Sequence, residues 1–323
     1  MSRFISQSFM DDLERGKLSK VLEIIRQDDT LMLELRGDRI TIYYRGGKLL
    51  EIKEKEDSSY GFYPGDTKYL GKSSPVPDLS GVMINRGCDT TTLEDYIAKF
   101  KYNIDKYFGG IRNKTKVKKR FSIENEIRQH LVRENNYTKG AEKTDYFIID
   151  TEYQTKEGKK FDIVALEWIS KSQARKQQGG YKPRIVVFEL KYGEDAIKGN
   201  CGICGHIKDF DDFASDKNRV RDFIKEMTDV LKQKIQLRLI PYLTAKNIIP
   251  KGIAKDIDFV TIIANYKNAS KSLLNEIVKS PKFQMMTANF LGYGLYKQNL
   301  LDNKQVIDLL RSKEVEAVHT NNE

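Results

Sequence analysis

The chain has 323 residues, 39% of them apolar and 32% charged, with 15 Phe and 17 Tyr; at roughly 150 residues per domain this is about two globular domains and not a disordered chain. No run approaches the roughly 18–20 apolar residues of a membrane span. The start, MSRFISQSFMDDLERGK, lacks a signal peptide's apolar segment, and Cys88, Cys201 and Cys204 are too few for a disulfide framework, so a cytosolic protein is expected.

Met10, Leu13, Leu18, Val21, Leu22 and Ile25 recur at helical spacing and predict one helix over 9–26. Leu31 to Leu35, Arg39 to Tyr44 and Lys48 to Lys53 then read as strands of a meander, separated by Arg36-Gly37-Asp38 and Arg45-Gly46-Gly47. Ile40 and Ile42 alternate with more polar neighbours, which predicts one wet face. Residues 54–90, rich in Gly, Ser, Asp and Pro, read as loop. Leu93, Ile97, Phe100, Ile104 and Phe108 predict an amphipathic helix that stops at Gly109-Gly110. The basic stretch NKTKVKKR, residues 113–120, reads as a linker; it sets the expected boundary between a β-rich amino-terminal domain, 1–115, and a second domain, 116–323.

Past the linker the pattern changes. Phe121 to Glu134 reads as a helix opened by Ser122 as N-cap. Thr144 to Gln154, Lys160 to Trp168 and Arg184 to Lys191 read as strands, the last two separated by a polar insert. A long helix over Asn218 to Leu237 leads to a strand, Asp258 to Ala264, and a helix over Lys271 to Val278. Strand, long crossover, strand implies a parallel pair with helices on the sheet, so the expected class is α/β.

The chemistry concentrates in two apolar strands. Asp162 opens FDIVAL, and Glu189 and Lys191 close IVVFELK. A strand apolar at every position is buried on both faces, where an ionised carboxylate needs a cation. Adjacent strands would bring the two carboxylates together. Two hard oxygen ligands, with the Leu190 carbonyl and water, suit Mg²⁺. Lys191, two residues beyond Glu189, shares its face and could orient water or steady charge on a phosphate.

These residues resemble the PD-(D/E)xK nuclease superfamily, on KKFDIVALE and RIVVFELKYG over roughly residues 120–265. The resemblance implies a restriction-endonuclease-like mixed sheet flanked by helices. It also implies a metal-dependent nuclease using Mg²⁺, with Mn²⁺ as a substitute, that cleaves DNA endonucleolytically rather than from ends. The roles implied are Asp162, Glu189 and the Leu190 carbonyl as metal ligands and Lys191 as catalyst. A helical Glu belongs before the first core strand: Glu124 lies about 60° from the helix's apolar centre and Glu126 about 100°, so Glu124 is favoured and Glu126 is the substitute. RNA cleavage and a non-cutting nuclease-like binding module are the alternatives. Phage defence, restriction or repair is the expected setting, and the amino-terminal domain is expected either to select the substrate or to mediate dimerisation as a homodimer.

The bare pattern is weak by itself, since Asp38 with Glu51-Ile52-Lys53 also satisfies it, on strands that alternate. The surplus of 56 basic over 46 acidic residues, a net +10, favours a nucleic-acid partner. Lys114, Lys116, Lys118, Lys119 and Arg120 in the linker, with His206 and Lys208, are the expected phosphate contacts. Cys201-Gly202-Ile203-Cys204-Gly205-His206 lacks a fourth zinc ligand and reads as a glycine-rich loop beside the site. His130 reads as a packed histidine. The aromatic cluster Tyr43, Tyr44, Tyr60, Phe62 and Tyr63 reads as core more readily than as a base-stacking platform.

Overall fold

Ser6 caps the first helix, its hydroxyl accepting the Phe9 N–H at 3.0 Å. Helix α1 (Gln7–Glu14) buries Phe9, Met10 and Leu13, and α2 (Ser19–Gln27) buries Val21, Leu22 and Ile25. The single helix expected over 9–26 is thus two. Arg15 leaves helical geometry at φ −144°, and the Gly16 N–H turns back to the Asp11 and Asp12 carbonyls. This computed structural model describes residues 2–57, 59–70, 79, 83–84, 87–111, 116–193, 196–198, 202–243, 252–265, 270–288 and 292–320. The side chains of 83–84, 87–88, 110–111, 116–122 and 313–320 lie outside that description.

Two compact units form: Met1–Thr138 with Glu226–Ile249, and Lys139–Lys225 with Pro250–Glu323. In the first, β1 (Leu31–Leu35), β2 (Arg39–Tyr44), β3 (Gly47–Glu54) and β4 (Tyr60–Pro64) form an antiparallel sheet in that order. Arg45 and Gly46 join β2 to β3 at φ +50° and +70°, the backbone a two-residue hairpin turn of this hand demands. On the face of β2 expected to be wet, Thr41 is buried while Arg39 and Tyr43 on either side of it are half-buried. Residues 54–90 are also more ordered than expected, since they supply β4 and two short strands, β5 (Met83–Ile84) and β6 (Gly87–Cys88).

Helix α3 (Thr90–Ile111) runs through Gly109-Gly110, and α4 (Lys116–Val132) includes most of the stretch expected to be a linker. Lysine and arginine are good helix formers, so basicity did not break the chain. Ser122 therefore lies inside α4 and is not its N-cap. The compact units divide after Thr138, and the chain rejoins the first unit at Glu226. There Lys234 makes a buried ion pair with Glu34 of β1 at 2.8 Å.

The second unit holds a six-stranded mixed sheet. Its strands are β7 (Tyr146–Gln154), β8 (Lys160–Glu167), β9 (Arg184–Tyr192), β10 (Ile257–Ala264), β11 (Gln284–Ala288) and β12 (Leu301–Asp302), in spatial order β12-β11-β10-β9-β8-β7. Strands β7, β8 and β9 run antiparallel, β9, β10 and β11 parallel. The polar insert between β8 and β9 carries one helical turn, α5 (Ser172–Arg175). The β9–β10 crossover carries α6 (Ile203–Ala214) and α7 (Lys217–Gln236), as a parallel connection requires. Ile203 and Ile207 of α6 share an apolar core with Ile263, Met285 and Phe283, with Leu273 and Ile277 of α8 (Lys271–Ile277), and with Val306 and Leu310 of α9 (Asn303–Thr320). This packing fixes α6 against the sheet.

Candidate functional site

Strands β8 and β9 pair through Ile163↔Phe188, Val164↔Val187 and Ala165↔Val186. One step beyond Ile163↔Phe188, the same register sets Asp162 opposite Glu189. There the Asp162 carboxylate takes over from the backbone ladder, its Oδ2 accepting the Leu190 N–H at 3.0 Å. In a strand the N–H and C=O of one residue face the same neighbour, so the Leu190 carbonyl also faces the β8 side.

Glu189 is 5% exposed and Lys191 7%. Alternation along β9 puts both on one face, and Lys191 Nζ lies 2.7 Å from Glu189 Oε1. His206 Nε2 lies 3.0 Å from the same oxygen. The Ile203–Ile207 stripe turns α6 so that His206 reaches the carboxyl end of β9. One buried carboxylate oxygen therefore receives two basic side chains. This is how a low-dielectric interior compensates a charge it cannot solvate.

Glu189, Lys191 and His206 thus meet at the carboxyl end of β9, and Asp162 is bonded to the same strand through the Leu190 N–H. Glu124 stands half-buried on α4 in the other compact unit. Its substitute, Glu126, is engaged by Arg45 at 2.8 Å. Lys208 is exposed on α6. Lys116, Lys118, Lys119 and Arg120 are in α4, with side chains outside the described residues, and Lys114 lies wholly outside them.

The segment expected to be a glycine-rich loop is corrected: Cys204, Gly205 and His206 form the first turn of α6. Cys201 lies outside the described residues. The Cys204 thiol meets the Glu276 carboxylate at 3.2 Å and the Ser280 hydroxyl at 3.2 Å, while His206 turns to Glu189. The competing Asp38, Glu51 and Lys53 pattern is an ion-pair ladder across β2 and β3, with Lys53–Asp38 at 3.0 Å and Arg39–Glu51 at 3.0 Å. Of the aromatic cluster, Tyr60 is core and packs on Phe9, and Tyr63 is exposed.

Two features escaped the sequence reading. Thr261 of β10 pairs in register with Glu189, a placement only strand pairing reveals. The first unit also holds a polar cavity of about 250 Å³. Arg45 spans it, bonded to Asp105 at 2.9 Å and Glu126 at 2.8 Å and stacked 4.6 Å over the Phe108 ring. Burial, then the Asp105 charge, raises the Tyr44 phenol above its ordinary range. Burial likewise lowers the His130 imidazole, which lines this cavity rather than packing in the core.

No protein-family model, curated protein or solved structure matches the chain. The architecture is that of a mixed α/β protein, whose larger sheets among the described residues are a four-stranded antiparallel and a six-stranded mixed one. Among the described residues, no helix is long and apolar enough to cross a membrane.

Proposed function

We propose that the chain is a metal-dependent nuclease of the PD-(D/E)xK kind that hydrolyses DNA phosphodiester bonds. The observation that supports this reading most is that Asp162 is bonded to the Leu190 N–H at 3.0 Å, between Glu189 and Lys191 in sequence, which lie 2.7 Å from each other. The donor chemistry fits a hard divalent ion. Two carboxylates in opposing register and the intervening carbonyl are oxygen ligands of the type Mg²⁺ takes, with water completing the shell. Asp162, Glu189 and Leu190 would hold the ion, which when bound would supply Lewis-acid stabilisation of the phosphate oxygens. Lys191 would hold and orient the attacking water and steady the developing charge. His206 and Lys208 would bind flanking phosphates. The roles of Glu124 as a metal ligand and of Lys114, Lys116, Lys118, Lys119 and Arg120 as phosphate contacts rest on the resemblance and on charge alone.

A second reading, a nuclease-like module that binds nucleic acid or protein without cutting, is favoured by one observation. Among the described residues, no three His, Cys, Asp or Glu side chains group as metal ligands. The distinguishing experiment incubates the full chain with supercoiled plasmid, single-stranded DNA and RNA, in Mg²⁺, in Mn²⁺ and in EDTA. Nicking or linearisation of plasmid that needs the metal is expected, with Lys191→Ala slower by about 10²–10³-fold, the usual cost of one electrostatic catalytic group. A Lys191→Ala variant as fast as the parent refutes the site; retained DNA binding with no cleavage supports the binding module, and cleavage of RNA alone reassigns the substrate.

A further inference from the structure

The row of side chains holding Glu189 continues onto β10, where Thr261 is its in-register neighbour on the parallel strand. Register partners project to the same face. Thr261 is fully buried, at 0% exposure, and among the described residues its Oγ1 has no hydrogen-bond partner. Its neighbours along β10 are Val260, Ile262 and Ile263, all buried apolar residues. Valine would have the same shape, would suit a buried strand and would strand no hydroxyl. A desolvated, unbonded hydroxyl is a cost without a structural return, so its return must come from an arrangement other than this one.

The Glu189 carboxylate supplies such an arrangement. Here its Oε1 is drawn to Lys191 and His206, at 2.7 and 3.0 Å. A carboxylate that turns to a divalent ion gives up part of that contact and needs a new donor to fix its orientation. Adjacent strands are about 4.8 Å apart, within the sweep of a glutamate side chain. We propose that Thr261 is a positioning residue of this site: its hydroxyl donates to the Glu189 carboxylate in the metal-bound state and sets the direction in which that carboxylate faces the ion. The proposal rests on the metal-site reading of Asp162 and Glu189.

The test compares the full-length parent, Thr261→Val and Thr261→Ser by Mn²⁺ titration calorimetry, thermal melting in EDTA and plasmid cleavage. Thr261→Val is expected to melt at or above the parent temperature, because it removes the unbonded hydroxyl. It is expected to bind Mn²⁺ about 10–100-fold more weakly, the usual effect of losing a group that orients a metal ligand, with kcat reduced and KM for DNA unchanged. Thr261→Ser is expected to stay within about twofold of the parent in affinity, since it keeps the donor. The proposal is overturned if Thr261→Val binds Mn²⁺ as tightly as the parent, if it melts several degrees lower, or if the parent binds no Mn²⁺. A parent that binds Mn²⁺ but cleaves nothing refutes the nuclease reading alone, and the calorimetric comparison still decides the role of Thr261.

Discussion

The Glu34–Lys234 pair offers the sharpest test of the energetics of the first unit. Both side chains are essentially inaccessible, at 0% and 1%, and their charges lie 2.8 Å apart; Arg36 approaches the same Glu34 oxygen at 3.6 Å. Glu34→Leu leaves an ammonium buried without its anion, which costs about 3–5 kcal/mol. Loss of the proton bounds that penalty: from a reference lysine value near 10.4 at about 1.36 kcal/mol per unit, neutralisation at pH 7 costs about 4.6 kcal/mol. The same bound fixes the sign with pH. A buried uncompensated lysine binds fewer protons folded than unfolded, so the stability of the variant recovers as pH rises toward 10. Lys234→Met should fall at the lower end, because Arg36 still faces Glu34, and the double variant Glu34→Leu/Lys234→Met should lie near the parent. Guanidinium unfolding followed by circular dichroism at pH 7 and pH 10 measures all four corners of the cycle. Thermally, the larger loss corresponds to about 6–20 °C, at about 2–4 °C per kcal/mol for a unit of this size. A Glu34→Leu loss below about 1 kcal/mol at pH 7, or one equally large at pH 10, would refute the reasoning.

Under the proposed nuclease function, His206→Ala is expected to slow cleavage less than Lys191→Ala and to weaken DNA binding, read by anisotropy over a salt series; equal effects of the two variants would deny their separate roles. In the first unit, burial holds the His130 imidazole below its ordinary value of 6.5. Both states are neutral above that value, whereas below it the unfolded chain takes up the proton first, so stability falls with acidification. Thermal melts at pH 7.5 and 5.5 should show a smaller drop for His130→Gln than for the parent, and identical drops would rule the residue out as a source. Gly46 sits at φ +70°, and an added Cβ would lie 2.3 Å from the Asn125 carbonyl carbon, so Gly46→Ala should cost more than the about 1–2 kcal/mol of left-handed backbone strain alone. Gly193, two residues past Lys191, has φ +71° with nothing among the described residues within 4 Å of an added Cβ. Gly193→Ala should show the backbone cost only, and chemical denaturation of both variants checks the ranking.

Much of this protein was legible in order along the chain. Runs apolar at every position marked β8 and β9 to within a residue or two, because strands buried on both faces leave polar groups only at their ends. Those polar ends, Asp162 on one strand and Glu189 and Lys191 on another, were the candidate site. Local signals failed where a neighbour decides. The basic stretch at 113–120 was read as a linker from its charge, yet Lys116–Arg120 continue into α4, because these residues favour helix and charge alone breaks nothing. Residues 54–90 carried turn chemistry and still yielded β4, since an open edge of β3 was there to pair with. His206 was read into a loop and stands on α6, whose apolar stripe owes its direction to Ile263 and Phe283, far along the chain. Thr261 gave no local signal at all: a threonine among valines and isoleucines is ordinary β sequence. Spacing along one strand determined that Glu189 and Lys191 share a face, because side chains alternate with a period of two. Which residues of other strands stand beside them was decided only by register, a property of pairs of strands that neither strand carries alone.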